Sequence, residues 1–342
     1  AGIPPDVIRV DGPPNIRALW YMGICEDLTP YVQRDVGANL TNIWLKNVYD
    51  IYNDNGVQYA LVSDLSPTNL YVDADRFASA GLVLPPKQWN APNWTWNDFV
   101  NAARKLTVDI NGDGVNDTFG VGSFNGWRQT GLWNAGWMDE NVNYTGKSPQ
   151  LIEALEEMAR LYLEYGVVGG TIANSGAGMQ IMQSNYVNNA LTLTAGGRNI
   201  YIAPMPIAEQ RASQVGIIGY AIHKGSRQRE LAWDFIRYMC IETESTLKYG
   251  EASNRLPSHR LAQRDYITRL AVEAPEMNVQ SLADATYHLW IDPYFMAPNA
   301  NEIEATVRSA WEQVRNGIVP ARQVVEEIEP RIIDIVSRKS SD

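Results

Sequence analysis

Apolar positions along the chain fall into two rhythms. From Ser148 to Gly166, the residues Leu151, Ile152, Leu155, Met158, Ala159 and Tyr162 recur every three to four positions, the stripe of an amphipathic helix. Ser148 stands at the N-cap, Pro149 at the first helical position, and Gly166 supplies the stop. Thr95-Trp96-Asn97-Asp98 is a capping box, and it predicts a helix with Phe99, Val100, Ala103 and Leu106 on one face. The helical period returns after Ser226 on Leu231, Ala232, Phe235, Ile236 and Met239. It returns again over Asn301–Asn316 on Ile303, Val307, Ala310, Trp311 and Val314, and after Pro320 on Val324, Val325, Ile328 and Ile332. Shorter helices are predicted from Asn15 to Met22 and around Asp73–Ala80. Trp133 and Trp137, four apart, read as helical with at least one in the core. Trp233 and Trp311 lie within amphipathic stripes and read as packing.

β-rich runs stand between these helices: Pro5–Gly12, Gly56–Val62, Asn69–Val72, Asn199–Ala203 and Val215–Ile222. Pro85, Pro86 and Pro92 predict a loop over 84–94. Strands and helices alternate, so the predicted fold class is α/β. No repeat, low-complexity linker or compositional break marks a serial domain boundary.

Composition narrows this picture. A chain of 342 residues suffices for two domains, each with its own core. With 28 basic against 39 acidic residues the net charge is −11, which argues against nucleic acid or an anionic membrane as the main partner. No apolar run approaches the ~18 residues a membrane span needs. No amino-terminal signal segment is present either, so the chain reads as mature, trimmed or incomplete. The aromatic supply, 11 Trp and 17 Tyr against 6 Phe, favours rings with a polar edge, which suit wet recognition surfaces. Cys25 and Cys240 form no disulfide framework; they read as buried thiols, with pairing as the alternative.

One loop carries metal chemistry. Asp109, Asn111, Asp113 and Asp117 occupy positions 1, 3, 5 and 9 of a turn with Gly114 at position 6, and the Val115 carbonyl is a further ligand. Position 12 is Gly120 rather than a bidentate Glu, so Asp117 must close the shell. The expectation is a structural Ca2+; the alternative is an Asx-rich surface turn. His223, His259 and His288 lack zinc spacing, and neither a nucleophile elbow nor a phosphate loop occurs. No catalytic residue is assigned, and an enzyme is not expected. A glycosidase carboxylate pair is the remaining enzymatic alternative.

Four stretches, in order, carry a family resemblance. The first is Pro5-Asp6-Val7-Ile8-Arg9-Val10-Asp11 followed by Gly23-Ile24-Cys25-Glu26-Asp27-Leu28-Thr29-Pro30-Tyr31. The second runs from Gly56-Val57-Gln58-Tyr59 through Leu70-Tyr71-Val72-Asp73 to Pro85-Pro86-Lys87-Gln88-Trp89. The third is the Asp109–Asp117 loop with Thr118-Phe119-Gly120-Val121-Gly122. The fourth is Ala203-Pro204-Met205-Pro206, Gly219-Tyr220-Ala221-Ile222-His223-Lys224-Gly225-Ser226 and Ala232-Trp233-Asp234-Phe235-Ile236. Together they resemble the extracellular solute-binding proteins of ABC importers, in the sugar-binding group that includes maltose-binding protein. The resemblance spans nearly the whole chain. It departs in one respect: the family's usual first strand–helix–strand is not within these residues, so part of one cleft wall is expected from outside them.

The resemblance implies a periplasmic-binding-protein-like architecture of two α/β lobes, residues 1–64 with 223–291 and residues 65–222 with 292–342. Crossings near Asp64–Ser66, Ile218–His223 and Ile291–Pro298 would flank a cleft that closes by hinge bending. It implies a sugar or oligosaccharide ligand, ABC permease subunits as partners, a monomer, and an extracellular or periplasmic location, with a lipid anchor on a preceding segment as one option. A peptide or polyamine ligand is the alternative. Sugars present hydroxyls in plane and C–H faces above and below, so aromatic plates and bidentate polar groups are sought. Asp64 and Ser66 lie at the first crossing. Asp11 ends a strand opening toward the cleft, with a turn or N-cap aspartate as its alternative. Trp127 and Tyr186 follow strands where relatives place aromatics. Gly219 and Tyr220 mark the second crossing, and Arg255 and Trp290 complete the candidate ligand-binding set.

Overall fold

The computed structural model describes residues 4–297 and 299–338. In chain order its strands are β1 (Val7–Asp11), β2 (Asn53–Asp54), β3 (Val57–Gln58), β4 (Leu61–Asp73), β5 (Phe119–Val121), β6 (Ala177–Gln183), β7 (Ile200–Ala203), β8 (Ser213–Ile222), β9 (Leu256–Pro257) and β10 (Leu289–Trp290). The long β4, 13 residues and buried throughout, organises the rest. Residues 61–67 pair antiparallel with β8, and Asp64 and Leu65 also pair with β9; residues 68–73 pair with β6 and β7. One strand therefore belongs to two bodies.

The hydropathy pattern divides β4 into two runs, Gly56–Val62 and Asn69–Val72. Its middle, Ser63-Asp64-Leu65-Ser66-Pro67-Thr68, shows no solvent face because both faces are covered. Pro67 is the last residue paired with β8, where the strand changes partners. β8 behaves likewise: Ser213 and Gln214 pair parallel with β10, while Val215–Ile222 run beside β4 and β1. The partner switches fall at Pro67–Thr68, immediately after the expected crossing at Asp64–Ser66, and at Ser213–Val215, several residues before the one expected at Ile218–His223.

Each body has a core. One gathers Leu61, Val62 and Leu65 with Val215, Ile217 and Ile218, packed on Trp44, Tyr52 and Trp233. The other joins Leu70, Val72, Phe99, Leu155, Met158, Val307 and Trp311. A third cluster sets Tyr71, Ile200 and Ile202 against Leu256, Tyr266, Ile267, Leu270 and Leu282. Residues 256–283, expected with the lobe of residues 1–64, thus bury much of their apolar surface on strands of the second body.

The helices form where caps and stripes place them. Thr95 Oγ1 accepts the Asp98 N–H and Asp98 Oδ2 accepts the Thr95 N–H, starting the helix Trp96–Leu106. Ser148 caps Pro149–Leu163, and Gly166 ends that segment at φ +59°. The helical reading of Trp133 and Trp137 is corrected: a single 3-10 turn, Thr130–Trp133, stops at Asn134 in the left-handed region (φ 51°), although both rings are buried. Trp233 and Trp311 are fully buried, as their stripes predict, and Cys25 and Cys240 are buried and unbridged. Among the described residues no helix is long and apolar enough to cross a membrane.

Candidate functional site

Strand alternation puts Asp64, Ser66 and Thr68 on one face of β4. On β8, Gly216 pairs with Ser66 and Gln214 meets the Thr68 side chain, and Thr68 and Gln214 border a groove of about 320 Å3. β6 contributes Gln183, which lies flat on β8 because Gly216 has no side chain; a Cβ there would sit 3.0 Å from Gln183 Nε2. Asn185 follows β6, and Ser123, Asn125, Arg128 and Gln129 come from the turn after β5. Phe124, Ile181 and Met182 add apolar surface. The lining is thus dominated by amides and hydroxyls.

These amides are oriented. Gln214 Nε2 donates to the Val215 carbonyl at 2.9 Å, which turns its Oε1 toward Thr68 Oγ1 (3.4 Å) and Gln183 Nε2 (3.5 Å). Both contacts are long, so each group keeps hydrogen-bonding capacity for a guest. Arg128 is the one charged residue among the described lining. Its Nε donates to Glu304 Oε1 at 3.0 Å, a second N–H bonds the same oxygen, and the guanidinium lies 5.9 Å over the Trp127 ring.

A larger concavity, about 650 Å3, lies between Asn42, Leu45 and the helices Arg260–Glu273 and Gln280–Asp284. It sits behind the crossing strands: Asn69, the residue after Thr68, points away from the groove and accepts Ser281 Oγ at 3.1 Å. The smaller groove at the crossing is the candidate site because it joins the partner-switch residues Thr68 of β4 and Gln214 of β8.

The residues expected from sequence distribute unevenly. Ser66 is fully buried with its Oγ unpartnered, two residues from Thr68 on the groove face. Asp64 follows on that face, also fully buried. Its Oδ2 accepts Ser63 Oγ at 2.7 Å, and its Oδ1 lies 3.7 Å from Arg255 Nε. Burial pushes the Asp64 carboxyl up to about 6, with the Ser63 hydroxyl and Arg255 opposing. Trp127 is buried beneath Arg128, with an unpartnered Nε1. Tyr186 is half-buried beside Asn185, edge-on to Tyr71 at 5.2 Å. Trp290 lies on β10 next to Gln214, its ring over Gly131.

The others lie elsewhere. Asp11 ends β1 with an exposed side chain 3.3 Å from Arg9. Gly219 sits against the Tyr52 ring and Tyr220 against Phe235, both within the first core. Nine of the eleven tryptophans are buried, leaving Trp20 and Trp290 half-exposed, so the aromatic excess serves packing more than recognition. Sequence reasoning passed over Gln183, Gln214, Gln129, Asn125, Asn185, Thr68, Ser123, Arg128 and Glu304. Lone amides carry no spacing signature; the one available signal was Gln183-Ser184-Asn185 immediately before Tyr186.

The Asp109–Asp117 loop folds on itself. Asp109 accepts the Gly112 and Gly114 N–H groups, Asn111 that of Asp113, Asp113 that of Val115, and Asp117 that of Ile110. Among the described residues, no group of three or more His, Cys, Asp or Glu side chains is close enough to hold a metal ion.

Comparison with known proteins places this geometry. The model of a family described as bacterial extracellular solute-binding protein matches residues 1–275. A search of curated protein sequences finds no match. Among solved structures, an ABC substrate-binding protein from Listeria monocytogenes in complex with cycloalternan superposes with TM-score 0.80 at 20% identity, covering 98% of this chain and 86% of that one. UgpB from Mycobacterium tuberculosis in complex with glycerophosphocholine gives 0.77 at 18% identity, covering 99% and 85%. A sugar transporter protein from Rhizobium etli in an open conformation gives 0.77 at 18%, covering 99% and 86%. At such identities the likeness is one of fold. The family match over most of the chain, on a fold whose crossing strands floor a polar groove, shows that this protein belongs to the bacterial extracellular solute-binding proteins.

Proposed function

We propose that the protein is the extracytoplasmic solute-binding component of an ABC importer. It captures a sugar or oligosaccharide in the groove at the strand crossing, closes over it by hinge bending, and delivers it unaltered to permease subunits. The observation that carries this reading is the lining itself: Gln129, Gln183, Gln214, Asn125, Asn185, Thr68 and Ser123 around Phe124 and Ile181. Amides and hydroxyls both donate and accept, as sugar hydroxyls do, while apolar side chains meet the C–H faces. A polyamine would call for carboxylates, and the described lining has none. The same lining offers no carboxylate pair for glycoside hydrolysis. The cycloalternan bound by the Listeria protein supports a carbohydrate; the glycerophosphocholine bound by UgpB supports a small phosphodiester as second reading.

Bending at the partner-switch residues brings the bodies together without breaking either core, and the protein works as a monomer outside the cytoplasm. We propose separately that the Asp109–Asp117 loop holds a structural Ca2+, because the Asp109 and Asp113 oxygens that accept one N–H each keep a lone pair for a cation, and Asp117, whose Oδ2 accepts two, can offer its Oδ1. Calorimetry against a carbohydrate panel tests the main reading. A dissociation constant in the micromolar range or tighter, about −8 kcal/mol, is expected for at least one sugar. Silence toward every sugar, with tight binding of a peptide, polyamine or phosphodiester, overturns it.

A further inference from the structure

We propose that the Arg128–Glu304 pair makes the groove selective for uncharged solutes, with Glu304 as the residue that bars anionic ones; the inference rests on the sugar reading above. Arg128 is the one ionisable side chain in the described lining. Alone, a guanidinium in a part-enclosed groove is a ready receptor for carboxylate or phosphate, because its planar fork matches either anion bidentately. Here part of that fork is taken. Nε and a second N–H both reach Glu304 Oε1, and the side chains are only 28% and 20% exposed.

Glu304 is held in place. It stands on the helix Ala300–Arg315, next to Ile303 and three residues before Val307, both fully buried in the second core. The pair therefore belongs to one body and does not depend on lobe closure. An anionic guest would have to displace a fixed carboxylate or lie against it, and like charge at close range is a repulsive element of specificity. The net charge of −11 acts in the same direction at longer range. A neutral guest meets no such repulsion. The guanidinium N–H groups that Glu304 leaves free can donate to a hydroxyl, and the Trp127 ring beneath holds the cation in position.

Matched pairs test the inference by calorimetry and thermal shift: glucose with glucuronate and glucose 6-phosphate, galactose with galacturonate, maltose with maltobionate. The wild type is expected to bind at least one neutral member about tenfold or more tighter than its anionic partner. In Glu304→Gln that ratio is expected to move at least about tenfold toward the anion, with a salt dependence the wild type lacks. Adding Arg128→Gln is expected to remove that gain, which a merely structural role for Glu304 would not produce. An anion bound as tightly as its neutral parent by the wild type overturns the inference and leaves the sugar reading standing. An unchanged ratio in a cooperatively folded Glu304→Gln variant does the same. If no member of any pair binds the wild type, the sugar reading fails and the selectivity with it.

Discussion

At the scale of single residues, the site is built from groups with little chemical individuality. Gln214 matters through orientation: its Nε2 bond to the Val215 carbonyl presents Oε1 to the groove. Gln214→Ala is expected to weaken ligand binding by about 5- to 30-fold, roughly 1–2 kcal/mol, with a melting temperature close to wild type. Calorimetry with a thermal melt checks both. Two buried carboxyls make stability fall as pH rises, opposed by His259 and His288, whose pKa values burial lowers. Burial raises Asp64 to about 6 and Asp292 to about 7, although Asp292 accepts the Trp137 and Tyr294 N–H groups. Both exceed the ordinary aspartate value near ~3.9 that the unfolded chain shows. The folded state therefore holds the extra protons. The stability they contribute is complete below pH ~4 and is lost as pH rises through 6 to 7. In denaturant melts the two carboxyls together are expected to contribute a loss on the order of 4 kcal/mol between pH 5 and 8, reduced by more than half in Asp292→Asn, whose amide does not ionise. A pH dependence left unchanged in Asp292→Asn would contradict the assignment.

Elements explain what the sequence could and could not reveal. Helices announced by local chemistry, the capping box at Thr95 and the Ser148-Pro149 start, were legible because the signal lies within four residues. β4 was not. Its pattern reflects two different sets of neighbours on either side of Pro67, and tertiary cover decides where no solvent face exists. Asp64 and Arg255 were named individually, but their pairing depends on β9, a two-residue strand with no pattern of its own. Gly219, expected at the second crossing, packs against Tyr52 and Ile16. A Cβ there would meet Tyr52 Cε2 at 2.4 Å and Ile16 Cδ1 at 2.8 Å. Gly219→Ala is expected to cost about 1–3 kcal/mol in a denaturant melt through overpacking. A variant of wild-type stability that has lost its ligand would show instead that Gly219 borders the site. For the Asp109–Asp117 loop, EGTA is expected to lower the melting temperature of calcium-loaded protein, and added Ca2+ to restore it. A melt indifferent to both leaves only the network of Asx turns.

For the whole molecule, the α/β class could be read from alternating elements, and the two-body architecture from the family resemblance of the four stretches, consistent with the missing serial boundary. The position of the groove could not, since it depends on where β4, β6 and β8 meet and on side chains more than a hundred residues apart. The aromatic excess pointed outward in composition but turned inward in the structure, because large rings fill two sizeable cores. What remains at the crossing is a polar floor shared by strands of both bodies, and the account depends on a guest resting there. A crystal structure with whichever sugar the calorimetric panel identifies tests this most directly. The account expects density in the groove, its hydroxyls within ~3.2 Å of Gln183, Gln214 and Thr68. Density in the concavity behind the crossing strands, or a sugar that touches none of these three residues, would contradict it.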